Sequence, residues 1–384
     1  MNVTGSRPLT VMRDHIQKAV DDRVWPAVQF AVARHGEIVV FESFGDARDS
    51  DRFCLFSATK PVVASLVWQL LGEGLIALET RVAEVWPEFG AYDKGVITLE
   101  QVLLHTCGFP TATISRDAIT SRDKRATEME AWQLEWQPGS RFFYHGMSAH
   151  WVLTEVIHRL TGQDFRQALR ARVLDPLGLD RLELGVPVER QGNLTRVTAT
   201  GTRSVDVFEA LFGQPVDDAA AESELAEVLA IVNDPELRTV GVPGAGGFSD
   251  AASMALFYQE LLHNTAGLWR PDVLATATGE IRNTFPDPIR MGAPANRSIG
   301  LVIADPDDGA SLKIPSHGIE VPLQPFGSRV SPGAFGHGGG GGQSAWADPA
   351  TGLSFCLVTS GMDRDVVADL ERHLAIESQV PALA

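Results

Sequence analysis

Leu9, Met12, Ile16 and Val20 recur at helical spacing near the start of the chain and predict an amphipathic helix. The period then changes. Ala27 to Ala33 and Ile38 to Phe44 read as strands, and Arg34-His35-Gly36-Glu37 between them carries a hairpin signal. From Val62 to Leu71 the apolar positions (Val62, Val63, Leu66, Val67, Leu70, Leu71) return to helix spacing, and Gly72 and Gly74 close that helix. The middle of the chain reads mostly helical. Thr98 with Gln101 resembles a capping box. Ser148 is read as the cap of a helix through Leu160 that Gly162 ends, and Asp164 as the cap of one stopping before Pro176. An acidic helical stretch follows from about Asp217 to Leu229, and Ser249 is read as the cap of a helix reaching about His263. Strand patterns reappear at Ile299 to Ala304, Ser344 to Ala347 and Leu353 to Thr359, with a turn at Asp348-Pro349-Ala350-Thr351-Gly352. A last helix from about Arg364 to Ala375 carries Val366, Val367, Leu370 and Leu374.

This order predicts a sheet-and-helix domain built from both chain ends, residues 1–85 and 235–384, with a mainly helical domain inserted at 86–234. A site then belongs in the cleft between them. No internal repeat or low-complexity linker interrupts the pattern. Thirty-two basic residues against 49 acidic ones give a net charge of −17, which argues against nucleic acid and anionic membrane surfaces as partners. Residues Met1 to Pro8 lack the charged-then-apolar pattern of a signal peptide. No apolar run approaches the ~18 residues of a membrane span. Cys54, Cys107 and Cys356 are scattered among apolar neighbours and are expected to be reduced, buried thiols of a cytoplasmic protein.

Three short motifs carry chemistry. In Ser57-Ala58-Thr59-Lys60, Pro61 places the tetrapeptide at the N-terminal end of the helix that follows. Residues three apart share a helix face, so the Ser57 hydroxyl and the Lys60 amine can meet. A serine is a poor nucleophile until a base takes its proton, and a lysine serves only when neutral. Tyr144-His145-Gly146 follows Pro138-Gly139 and precedes a helix, and its phenol beside an ammonium can ionise more easily and shuttle a proton. Phe335-Gly336-His337 runs into five consecutive glycines, Gly338 to Gly342, before a strand. Such a segment lets a substrate approach the backbone, whose N–H groups can hold an oxyanion. Gly336, Gly338 and Gly341 also satisfy a dinucleotide fingerprint, but that motif opens a helix and here a strand follows. Gly146-Met147-Ser148-Ala149-His150 is not a nucleophile elbow, and Glu155 with His158 reads as the polar side of a helix. His105 reads as a buried structural histidine. Trp132, Trp136 and Trp151 are expected mainly as core, with an acyl-pocket wall as the other reading.

In this order the motifs resemble the serine β-lactamase and penicillin-binding-protein superfamily, and within it the class C-related (family VIII) carboxylesterases. Leu103 to Pro110 and Ala245-Gly246-Gly247-Phe248-Ser249 resemble two further segments of that family, as does Ala345 to Pro349 after the glycines. The resemblance implies an α+β, β-lactamase-like fold, with an antiparallel sheet flanked by helices and an inserted helical domain. It implies Ser57 as nucleophile, Lys60 as its partner and Tyr144 as general base and acid. It also implies an oxyanion hole from the backbone N–H groups of Ser57 and Gly340, and His337, Gly338 and Gly339 as the substrate-binding strand. Two positions depart from the β-lactamase pattern: Gly146 stands where asparagine is usual and His337 where lysine is usual. Lactamases use those groups to hold the amide and carboxylate of the lactam. The expectation is therefore a serine hydrolase acting on a small-molecule carboxylic ester, without metal or cofactor. A β-lactamase, a D-alanyl-D-alanine peptidase-like amide hydrolase, an acyltransferase and a catalytically inert binding module are the alternatives.

Overall fold

A computed structural model describes residues 5–204, 207, 209, 217–305, 307, 309–314 and 317–384 of the chain. Six strands form one antiparallel sheet: β1 (Ala27–Arg34), β2 (Glu37–Gly45), β3 (Val302–Ile303), β4 (Phe335–Gly339), β5 (Gln343–Asp348) and β6 (Leu353–Thr359). Their order across the sheet is β2-β1-β6-β5-β4-β3, so the two ends of the chain interleave at its centre. β1 is buried along nearly its whole length because helices cover both faces. On one face, Val28, Phe30, Phe355 and Leu357 pack with Leu9, Met12 and Ile16 of α1 (Arg7–Asp21). Burying each of those α1 side chains contributes roughly 1.5–3 kcal/mol. On the other face, Ala31, Ala33, Cys356 and Val358 meet α2 (Thr59–Gly72) and α5 (Ala251–His263), in a core continuous with the helical region around α3 (Ser148–Thr161). A second small sheet pairs Phe53–Cys54 and Glu183–Leu184 with Gly247–Ser249. It ties the segment before α2 to the one before α5.

Three local expectations are corrected. Ser148 is the first helical residue of α3, not its cap; its hydroxyl donates to the Phe109 carbonyl at 3.0 Å. Ser249 lies in the small sheet, and Asp250 caps α5 by accepting from Ser253 N at 2.8 Å. The strand expected at Ile299 to Ala304 shortens to β3, because Ile299 and Gly300 turn to meet α2. The Trp68 indole donates to the Ile299 carbonyl, and a Cβ on Gly300 would sit 2.6 Å from Ala64 Cβ. The remaining expected elements form close to their expected bounds, including the α4 helix (Asp218–Asn233) and α6 (Val366–Glu377). The Thr98–Gln101 capping box closes both ways. Among the described residues no helix is long and apolar enough to cross a membrane.

Candidate active site

Ser57 sits on a short 3₁₀ turn, Phe56–Ala58, that leads into α2. Phe56 holds φ +45°, a region costly for a side chain with a Cβ and often found beside working residues. Lys60, in the first turn of α2, is 1 % exposed. Its Nζ lies 3.2 Å from Ser57 Oγ, 2.8 Å from Gly146 O and 2.7 Å from Gly244 O. Burial pushes the Lys60 pKa below its ordinary value; Tyr144 opposes that and Arg297 adds to it. A neutral amine has two N–H donors and one lone pair. Nζ donates to all three oxygens in this geometry; once neutral, it keeps two N–H groups for the carbonyls and has a lone pair free for Ser57 Oγ.

Glycines let each carbonyl reach Lys60. Gly244 to Gly247 run tight against the start of α2: a Cβ on Gly247 would sit 2.8 Å from Thr59 Oγ1, and one on Gly246 2.5 Å from Val242 N. Gly247 N donates to Thr59 Oγ1 at 3.0 Å. The Ala-Gly-Gly segment read from the sequence is thus a tight turn that presents the Gly244 carbonyl. The segment Leu103 to Pro110 clamps the loop of Tyr144. His105 Nδ1 accepts from His145 N at 3.2 Å, His145 Nε2 accepts from Phe109 N at 3.1 Å, and His145 Nδ1 donates to Phe143 O at 2.6 Å. The His105 ring lies 4.8 Å from that of Tyr144. His105 is therefore structural, but it structures the site itself.

Tyr144 faces Lys60, whose Nζ is 4.9 Å from the ring centre, and His337, whose ring is 6.1 Å away. Tyr144 Oη is buried, and the phenol acts on the Lys60 amine by charge and by a side-chain hydrogen bond. The end of β4 passes over the Ser57 turn. A Cβ on Gly339 would lie 2.4 Å from Leu55 O, and one on Gly340 3.6 Å from Phe56 Cδ1. Lys60, Tyr144 and His337 thus gather beside Ser57, with Gly339 and Gly340 against the turn that carries it.

His337 is 5 % exposed, and burial, followed by Arg297 and Lys60, pushes its pKa well below the ordinary value. Its Nδ1 meets Gly338 O at 2.5 Å and its Nε2 meets Arg297 Nη1 at 3.1 Å. Arg297 is a site residue that sequence reasoning missed, as is His150, which is buried against the Lys60 backbone. No motif marks either. The only clue was the missing lysine at 337, which left the site short of a cation.

An apolar cavity of 240 Å³ adjoins the cleft, with Phe56, Met147, Val228, Ile231, Val232 and Phe248 among its walls. Phe56 precedes Ser57, Met147 follows Gly146, and Ala245 on the same wall follows Gly244, so chain neighbours of Ser57 and of the residues that hold Lys60 wall the cavity. The C-terminal half of α4 forms its far side, while Asp217 and Asp218 at the other end are solvent-exposed. Trp132 and Trp151 are core, and Trp136 lines a different, surface groove beside Tyr92. Glu155 is tied up by Arg122 and Arg159. The three cysteines are buried and unpaired. Burial raises each thiol pKa, that of Cys54 to about 11, which disfavours thiolate chemistry.

Comparison with known proteins agrees with this fold. The beta-lactamase family model matches residues 12–378. The Esterase/beta-lactamase LipL of Mycobacterium tuberculosis (strain ATCC 25618 / H37Rv) is 26% identical over 333 residues, covering 79% of this chain and 68% of that protein. A penicillin-binding protein homolog from Caulobacter crescentus superposes with a TM-score of 0.75 at 25% identity, over 99% of this chain and 98% of that one. A family VIII carboxylesterase superposes with a TM-score of 0.73 at 25% identity, over 97% and 98%.

Proposed function

The chain belongs to the beta-lactamase family, and from the geometry of its cleft we propose that it hydrolyses carboxylic esters through an acyl-enzyme on Ser57. The observation that carries this is the triple contact of the Lys60 amine. Held by Gly146 O and Gly244 O, its Nζ lies 3.2 Å from Ser57 Oγ, where in its neutral form it can take the hydroxyl proton. Ser57 Oγ attacks the ester carbonyl as its proton passes to Lys60. Tyr144, stacked beside that amine, carries a proton to the departing alkoxide. Backbone N–H groups of Ser57 and Gly340 stabilise the oxyanion. Water then enters, the same groups take its proton, and the acid leaves. Gly338 and Gly339, with His337 behind them, form the strand against which the substrate lies.

The ester preference is supported by what Gly146 lacks. A Cβ there would meet only the Tyr144 ring, so no side chain reaches out to hold an amide. The apolar cavity supports an acyl group without charge. At 240 Å³ it is smaller than the ~300–1,000 Å³ of drug-sized ligand sites, so a short chain or a single ring fits it. Three unpaired cysteines are in keeping with a reducing compartment, which we take to be the cytoplasm. The test is hydrolysis of p-nitrophenyl acetate, butyrate and octanoate by the wild type and by Ser57→Ala. Turnover is expected from the wild type alone. A folded Ser57→Ala protein with wild-type rates would end this reading.

A further inference from the structure

We infer that Arg297 is a positioning residue of this site: its guanidinium, packed on the Tyr144 ring and bonded to His337, supplies the fixed positive charge beside the Tyr144–Lys60 pair that the glycine-rich motif does not. The inference rests on the serine-hydrolase reading and deepens it.

The hydrogen bonds settle the state of His337. Arginine only donates, so His337 Nε2 must accept from Arg297 Nη1 at 3.1 Å; a carbonyl only accepts, so Nδ1 must donate to Gly338 O. One donor and one acceptor make a neutral ring, with both nitrogens committed. His337 therefore brings no charge to the position it occupies. Arg297 stands where that charge is absent. Its guanidinium carbon lies 5.0 Å from the centre of the Tyr144 ring and 5.6 Å from that of Phe142. Its backbone is pinned by a bridge to Asn283, with N donating to Asn283 O at 3.1 Å and O accepting from Asn283 N at 3.0 Å. Asn283 in turn donates to Leu104 O at 2.9 Å, next to His105. The same bridge thus joins Arg297 to the segment that clamps Tyr144.

Burial lowers the Arg297 pKa, while Tyr144 and then Asp287 raise it. The Arg297 Nε is buried and unpartnered. The other ionisable groups around the pair bring little fixed charge. His105 and His150 lie on one side, His145 on the Tyr144 loop and His337 on β4, and burial holds all four neutral. Asp287 and Arg290 act on Arg297 with opposite signs. A guanidinium stays charged over the whole working range. It makes proton loss from Lys60 easier, and so extends the active form of the enzyme to lower pH.

The test is the pH profile of kcat/KM with a neutral ester, p-nitrophenyl acetate, for the wild type, Arg297→Gln, Arg297→Lys and His337→Gln, each checked for folding by circular dichroism. Glutamine keeps a donor for His337 and removes the charge. The acidic limb of Arg297→Gln is expected to move up by about one pH unit or more, with KM little changed, and lysine should restore most of that shift. His337→Gln should leave the limb in place, which keeps the test open if Arg297→Gln does not fold. A folded Arg297→Gln with the wild-type limb, or a His337→Gln limb displaced by about a unit, overturns the inference. So does a loss confined to KM for an ester bearing a carboxylate, which would make Arg297 a docking point for a substrate anion. Fluorophosphonate labelling of Ser57 separates the two levels: no labelling of the wild type defeats the hydrolase reading, whereas labelling with an unmoved limb defeats only the role of Arg297.

Discussion

Acidification from pH 7.5 to 5.5 should destabilise this protein through the buried histidines around its active site. His105, His145, His150 and His337 are all buried, and desolvation is the largest cause lowering each pKa, to about 4 for His145 and well below the ordinary value for the other three. Because the folded values are depressed, the unfolded chain binds more protons as pH falls below about 6.5, and stability falls with it. Each imidazole kept neutral in the fold costs almost nothing at pH 7.5 and on the order of 1 kcal/mol at pH 5.5. Four such groups give a loss of several kcal/mol over this window. His373 moves the other way. Glu377 and Asp369 raise its pKa against desolvation, so its contribution is fully present below about 6.5 and is lost as pH rises through the folded value. It returns at most on the order of 1 kcal/mol, leaving a net loss of a few kcal/mol. That is a large part of the 5–15 kcal/mol of a typical domain. Urea unfolding followed by circular dichroism at both pH values measures it directly. His150→Leu removes one of these imidazoles and should flatten the pH dependence by about a quarter. Equal stability at pH 7.5 and 5.5, to within about 1 kcal/mol, would refute the reasoning, because the imidazoles would then be accepting protons inside the fold.

Gly339→Ala puts a Cβ 2.4 Å from the Leu55 carbonyl, which cannot yield as a side chain could. It should cost about 1–3 kcal/mol in urea unfolding and lower esterase activity more than its effect on folding explains, since the strand end is pushed off the Ser57 turn. Ile231→Trp fills part of the 240 Å³ cavity and should lower kcat/KM for p-nitrophenyl octanoate at least about tenfold relative to acetate; an unchanged ratio would place the acyl group elsewhere. Iodoacetamide at pH 8 should leave Cys54, Cys107 and Cys356 unlabelled in the folded protein and alkylate all three in urea, read by intact mass.

The fold was legible where a pattern was long and local. The hairpin of β1 and β2, α2 with its closing glycines, and the turn between β5 and β6 each follow from periodicity and turn residues within one segment. Misassigned caps arose where two polar residues compete: Ser249 and Asp250 are both able caps, and strand pairing with Phe53 claimed the serine. β3 came out short because a partner distant in sequence, Trp68, draws the Ile299 carbonyl away. The site was legible in the same uneven way. Ser57 and Lys60 are three residues apart on one element, and the motif residues around Tyr144 and His337 carry their own spacing. Arg297 has no such spacing. It reaches the site through tertiary packing, 40 residues before His337, and only the neutral imidazole beside it explains why a guanidinium is needed there. The roles of the Leu103 to Pro110 and Ala245 to Ser249 segments, clamping the tyrosine loop and presenting a carbonyl to Lys60, likewise became physical only with their partners in place.

The most direct measurement is intact-protein mass after millisecond quenching of wild type and Tyr144→Phe mixed with excess p-nitrophenyl butyrate, followed by peptide mapping. A butyryl adduct on Ser57 is expected, transient in the wild type and longer-lived in Tyr144→Phe, where the proton path to the second step is impaired. Turnover without any adduct, or an adduct on another residue, would contradict the acyl-enzyme on Ser57.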